Sequence, residues 1–263
     1  MFKKYDIFIN EALSILDPEV ISGMSYERSQ ELMSNLFPVR NKKLESGVID
    51  SIIKYLEDGA KYKTPKNYFE DVKYETYMDY FRRKLSINKS LEISKNNNLL
   101  AFPCECDVES FGSSRNTKGI VRLKESKRDA IEDFRNHGIQ DVHHLNYIDM
   151  KLMKCFYHRI HSPINGVISK IDFYGKDDPF FGDNTLWIVK IDSNFGAVYL
   201  VLVGELSIQD FEFNYSVGDS IKQYDEIGHF EWGSQVILFY DPKKFQEPNI
   251  QKGNRYFIGD KLI

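Results

Sequence analysis

Beyond about residue 95 the apolar residues of this chain leave helical spacing and gather into short strand-like runs. Leu186–Ile191, Ala197–Val203 and Val236–Tyr240 are almost continuously apolar, as strands buried on both faces are. Val167, Ser169, Ile171 and Phe173 alternate as a strand with one buried side does, and Gly175, Gly182, Gly196, Gly204 and Gly218 stand between runs, where turns are expected. A polar helix near 126–136, anchored by Ile131 and Phe134, interrupts the series. Before residue 95 the period is helical. Residues 5–16 carry Phe8, Ile9, Ala12, Leu13 and Leu16, and a second helix, capped by Ser25, carries Leu32, Met33 and Leu36 before Pro38 ends it. Residues 43–57 form the strongest helical stripe, with Leu44, Val48, Ile49, Ile52, Ile53 and Leu56 on one face and Gly59 at the C-terminal cap. A helix over 75–85 sets Tyr77, Phe81 and Leu85 four apart and ends in Arg82, Arg83 and Lys84, where cations suit the dipole. Helices followed by strands define an α+β chain, with a helical region at 1–94 packed on a mostly antiparallel β core at 95–263. The outer face of 43–57 mixes Glu45, Asp50, Lys54 and Glu57, which favours core packing over a lipid surface.

Size and charge narrow the function. A chain of 263 residues with 42% hydrophobic residues fills a sizeable core, and a net charge of -4 gives no global attraction to nucleic acid, so no nucleic-acid partner is expected. The three cysteines, Cys104, Cys106 and Cys155, are too few and odd in number for a disulfide framework and are expected to be buried thiols. Asp6, Glu11 and Asp17 interrupt what would be a leader's apolar segment, and no stretch approaches the roughly 20 apolar residues of a membrane span. The expectation is a cytoplasmic protein or one peripheral on a membrane.

Two stretches carry chemistry. In Phe230-Glu231-Trp232-Gly233-Ser234-Gln235 a serine follows a glycine just before an apolar strand, and a tight turn there can bring the hydroxyl near the preceding carbonyl. In Tyr157-His158-Arg159-Ile160-His161-Ser162-Pro163-Ile164-Asn165-Gly166 two imidazoles three apart can act as acid or base near neutral pH. Metal binding is not expected. The cysteine and histidine spacings match no standard zinc site, and His143-His144 reads as a polar loop.

Together the two stretches resemble the phosphatidylserine decarboxylase family, whose members use a covalent pyruvoyl group. The family's Tyr-His-Arg-x-His-x-Pro-x-x-Gly segment is filled by Tyr157, His158, Arg159, His161, Pro163 and Gly166, and its Gly-Ser-Thr cleavage motif is echoed by Gly228-His229-Phe230 leading to Gly233-Ser234-Gln235. Tyr77–Arg83, Lys118-Gly119 and Val203-Gly204 match shorter landmarks. Three departures stand out. Glu105, in Pro103-Cys104-Glu105-Cys106, takes the place of the triad aspartate, with Asp107 as a rival; Gln235 replaces the motif's threonine; and Asn184-Thr185-Leu186 lacks the family's arginine.

The resemblance implies a zymogen with a β core of the phosphatidylserine decarboxylase type. Ser234 would attack the carbonyl of Gly233 with His161 as base and Glu105 as its orienter, leaving a pyruvoyl group derived from Ser234 and a heterodimer of residues 1–233 and 234–263. His158 is the expected acid for protonating the carbanion after carbon dioxide leaves, with His161 as alternate. The implied activity is conversion of phosphatidylserine to phosphatidylethanolamine, a step of phospholipid biosynthesis. Phe2, Ile7 and Phe8 would touch the membrane interface. Two alternatives stay open, a pyruvoyl decarboxylase of a soluble amino acid and a non-cleaving binding or scaffold protein; homo-oligomerisation is left open too.

Overall fold

The computed structural model describes residues 40–44, 47–61, 63, 65–96, 98–116, 131–139, 141–175, 185–204, 211–231 and 235–263. The helices expected at 5–16 and after Ser25, the interfacial residues Phe2, Ile7 and Phe8, the Lys118-Gly119 landmark, Asn184, and Gly233-Ser234 lie outside the described residues. The chain divides into two compact units, residues 1–86 and 87–263.

In the first unit, helix α1 (Val48–Gly59) begins after Gly47, which takes a positive φ of 88°, and buries Val48, Ile49, Ile52 and Leu56. It starts five residues later than the apolar stripe predicts, because its entry needs the left-handed backbone that Gly47 supplies. Helix α2 (Tyr77–Phe81) is held by a capping box: Thr76 Oγ1 accepts from the Asp79 amide at 3.0 Å, and Asp79 Oδ2 accepts from the Thr76 amide at 2.7 Å. This helix is shorter than predicted. Arg83 lies past its end and is buried, its guanidinium 4.3 Å from the Tyr80 ring centre and 4.5 Å from that of Phe69. Stacking between two rings therefore replaces the dipole role expected of it.

The second unit opens with α3 (Ile87–Ile93), a helix the sequence reading left out. Strands β1 (Cys106–Ser113), β2 (Asn146–Lys151), β4 (Gly166–Tyr174), β5 (Leu186–Ser193), β6 (Gly196–Val203), β8 (Ser220–Ile221), β10 (Gln235–Tyr240) and β11 (Arg255–Tyr256) make an antiparallel eight-stranded sheet in the order β11-β1-β2-β10-β6-β5-β4-β8. The expected α+β arrangement with a mostly antiparallel sheet is present. A second sheet, β3-β9-β7, joins β3 (Arg159–His161), β9 (Glu226–Phe230) and β7 (Phe211–Phe213). Strand β10 is central, paired to β2 on one side and β6 on the other, and all six of its residues are buried. Its continuous apolar run follows from that position.

One face of the large sheet forms the main core. Tyr147, Leu186, Ile188, Val201, Val203, Ile237 and Phe239 meet Ile131 and Phe134 of α4 (Ile131–Asn136). Phe134, fully buried, packs edge-on against Phe239 with ring centres 5.6 Å apart, as the helix anchors predict. Strand β4 departs from its expected alternation. A bulge between Ile168 and Lys170 shifts the register against β5, so Val167 and Phe173 of the alternating set fall on opposite faces; both are exposed, and Ile168 is buried.

Candidate active site

Strand β9 of the small sheet is followed in sequence by β10 of the large one, and the Gly233-Ser234 motif falls between the two strands. Both flanks are fixed. Gln235 is paired with Lys151 on β2 and Val203 on β6, and on the other flank the Phe230 amide donates to the carbonyl of His158 at 3.1 Å. Arg159 lies directly across from His229 on the neighbouring strand. The histidine segment therefore runs alongside the strand that leads into the motif.

Two glycines of the motifs have a steric cause. At Gly228 an added Cβ would sit 2.0 Å from the Glu212 carbonyl oxygen and 2.5 Å from the Phe211 ring, so β7 can lie this close only to glycine. At Gly166 it would meet the Asp192 carbonyl oxygen at 2.5 Å.

His161 is buried, and its ring is held at both nitrogens. Nδ1–H donates to the carbonyl of Tyr224 at 2.6 Å, which leaves Nε2 as the acceptor of the Tyr157 hydroxyl at 3.0 Å. Burial pushes its pKa below the ordinary histidine value, against the opposing pull of the Tyr224 carbonyl and Glu226. The imidazole is thus neutral with a basic Nε2. Tyr224 aims its carbonyl from a left-handed backbone, φ 73°, unusual for a tyrosine, and its amide is tied to the Ser162 carbonyl at 2.9 Å. His158 is buried too, its Nδ1–H donating to the Phe156 carbonyl at 2.8 Å, so Nε2 is again the basic nitrogen.

Glu105 reaches this segment at its backbone. His161 Nδ1 is taken by Tyr224, and Glu105 Oε2 instead accepts the backbone N–H of Tyr157 at 2.7 Å. The Tyr157 hydroxyl in turn caps His161 Nε2. The backbone explains the approach, since the His161 amide donates to the Pro103 carbonyl at 2.8 Å and aligns 103–105 with the histidine segment. Asp107, the rival carboxylate, is committed elsewhere, to a two-point pair with Arg255 at 2.8 and 3.0 Å. Cys104, Cys106 and Cys155 are buried thiols outside any disulfide.

Two contributors were not read from the sequence. Tyr224 has no motif to mark it. Asp149, on β2, is a buried carboxyl that accepts from Gln235 Nε2 at 2.8 Å. Burial pushes its pKa up to about 7.

A neutral imidazole held at both nitrogens thus lies on the strand paired with β9, in an α+β protein built on antiparallel sheets. The chain belongs to the phosphatidylserine decarboxylase family, whose model matches residues 78–263. Phosphatidylserine decarboxylase proenzyme 3 of Schizosaccharomyces pombe is 36% identical over 100 residues, 33% of this chain and 10% of that protein. Phosphatidylserine decarboxylase proenzyme 2 of Komagataella phaffii is 25% identical over 181 residues, 62% of this chain and 18% of that protein. The phosphatidylserine decarboxylase proenzyme of a Geobacillus species is 26% identical over 175 residues, 61% of this chain and 66% of that protein. The matches thus span from a tenth to about two thirds of these relatives' lengths.

Proposed function

We propose that this chain is a pyruvoyl-dependent decarboxylase that first cuts itself between Gly233 and Ser234 and then converts phosphatidylserine to phosphatidylethanolamine. The observation that carries the reading is the family match over residues 78–263, whose relatives bear the name proenzyme. The neutral His161 supports it as a base.

In self-processing, Ser234 Oγ adds to the Gly233 carbonyl carbon, the peptide C–N bond breaks, and the acyl group passes to oxygen. His161 accepts the hydroxyl proton at Nε2 and returns it to the departing amine. The Tyr157 hydroxyl must rotate away from Nε2 or pass the proton on. Loss of the Ser234 α-proton then breaks the Cβ–O bond and releases residues 1–233 with a Gly233 carboxylate. Water replaces the nitrogen on residue 234, and ammonia leaves.

The described residues fit a carbonyl group carried by residue 234. Gln235 is locked in the sheet on both sides and supplies the adjoining amide, and two imidazoles with basic Nε2 atoms lie along the strand leading to it. When present, the pyruvoyl group supplies the electron sink for loss of carbon dioxide. His158 is assigned the proton that replaces the carboxylate on the substrate carbon, with His161 as alternate. Glu105 acts by holding Tyr157. The core is of the phosphatidylserine decarboxylase type, with residues 95–263 as the catalytic region and 1–94 facing the membrane.

The test is the intact mass of freshly purified protein under denaturing conditions, beside Ser234→Ala. Two fragments parted between Gly233 and Ser234, the smaller lighter than its hydrolysis product by one ammonia, are expected. A single full-length chain overturns the reading. Activity on phosphatidylserine vesicles, against free serine and free aromatic amino acids, decides the substrate; removing residues 1–20 should lower the vesicle activity.

A further inference from the structure

We propose that Asp149 is a positioning residue for self-processing, a proton-controlled clamp that acts through Gln235 on the C-terminal side of the Gly233–Ser234 bond. The inference rests on the self-cleaving reading above and goes beyond it, since Asp149 belongs to neither motif.

Geometry carries the argument. Gln235 is the first residue of β10 and is covalently joined to Ser234. Its backbone is fixed between β2 and β6, and its side chain is fixed by the 2.8 Å bond from Nε2 to Asp149 Oδ1. Asp149 pairs with Ile237, so Asp149, Gln235 and Ile237 share one face of the sheet, the face that continues into the main core. A carboxyl at the edge of an apolar core is costly to keep unless it does something there. Here it meets the side chain that stands where the family's motif has threonine.

Among the described residues, two charges act on Asp149. From β1, Glu109 raises its pKa; from its own strand, Lys151 lowers it, and the Gln235 bond also favours the ionised form. Strands β10 and β6 present Gln235, Ile237, Val201 and Val203, none of which titrates. Burial is the largest cause and brings the carboxyl to about 7. His161 is shifted the other way, so it is already in its basic form where Asp149 changes charge. A change of processing rate near pH 7 that substitution of Asp149 removes is therefore assigned to Asp149. The ionised carboxyl is the stronger acceptor for the Gln235 amide, so the clamp tightens as pH rises through that range.

The experiment follows self-cleavage of the full chain, made by cell-free translation and shifted to buffers from about pH 5.5 to 8.5, by intact mass. Wild type, Asp149→Asn and Asp149→Leu are compared. The wild-type rate should rise about tenfold with a midpoint near pH 7. Asp149→Asn keeps an acceptor for Gln235 and loses the proton, so the rise near pH 7 seen in wild type should be absent from its profile. Asp149→Leu loses both and should be slower by about tenfold or more at every pH. A purely structural role would leave the pH profile of Asp149→Asn like that of wild type, and that result overturns the proposal while leaving the self-cleaving reading intact. A wild-type chain that stays whole at every pH overturns both.

Discussion

At the scale of single residues, the site divides into what local sequence marks and what only the sheets bring together. His158 and His161 are legible because two imidazoles fall three apart within one segment. Tyr224 is not, because it contributes a backbone carbonyl, and any residue has one. Asp149 and Gln235 are 86 positions apart and meet only because β2 and β10 are neighbours. Asp149 also yields a stability prediction that is separate from catalysis. Its folded pKa of about 7 lies above the ordinary value of 3.8, so between about pH 4 and 7 the folded state holds a proton that the unfolded chain has lost. Stability from this group is fully present below the unfolded value and is lost as pH rises through the folded one. In the uncleavable Ser234→Ala background, Asp149→Asn should gain stability over its parent as pH rises from 4 to 8, by a few kcal/mol at the upper end. Urea titrations at several pH values read this directly, and a constant difference between the two proteins would remove the buried-proton account.

At the scale of elements, strand texture was legible where burial is complete. Strands β5, β6 and β10 lie within one or two residues of the predicted runs because a strand covered on both faces must be apolar throughout. The reading fails where a local device overrides the pattern. Gly47 moves the start of α1, residues past Phe81 turn away from helix to bury Arg83, and the bulge in β4 puts Val167 and Phe173 on opposite faces of the sheet. The lead into the cleavage motif is such a device too, since Gly228 permits β7 to close on β9. Gly228→Ala would set a methyl group 2.0 Å from a backbone oxygen, which no side-chain rotation relieves. We expect it to cost roughly 1–3 kcal/mol, as overpacking does. Amides of the β7–β9 ladder should exchange faster with solvent, whereas those of β5 and β6 in the other sheet should keep their protection. Unchanged exchange at Phe211–Phe213 and Gly228–Phe230 would show that the small sheet tolerates the methyl group.

At the scale of the whole molecule, the proposed cut falls at a place where the fold can survive it. Residues 234–263 would be a separate chain, yet they contribute β10, which pairs along all six residues with β2 and with β6, and β11, which pairs with β1. The C-terminal segment is sewn in further: Ala101 bridges to Lys261, and the amides of Leu99 and Leu262 bond to the carbonyls of Ile263 and Leu100. Val236, Ile237, Leu238 and Phe239 are fully buried, so pulling this fragment out would expose a central strip of the core. Each large apolar side chain so exposed costs roughly 1.5–3 kcal/mol, and the unpaired edges of β2 and β6 would add to that. Cleavage should therefore leave a two-chain protein that elutes as one species from a sizing column and separates only in denaturant. Its refolding should differ from that of the Ser234→Ala chain, because the two fragments must find each other before β10 can close the sheet. After dilution from urea, recovery should rise with protein concentration for the cleaved form and be nearly independent of it for the uncleaved one. If the small fragment is instead lost on the column under native conditions, the central pairing of β10 is too weak to hold residues 234–263, and the self-cleaving reading would need a partner to retain them.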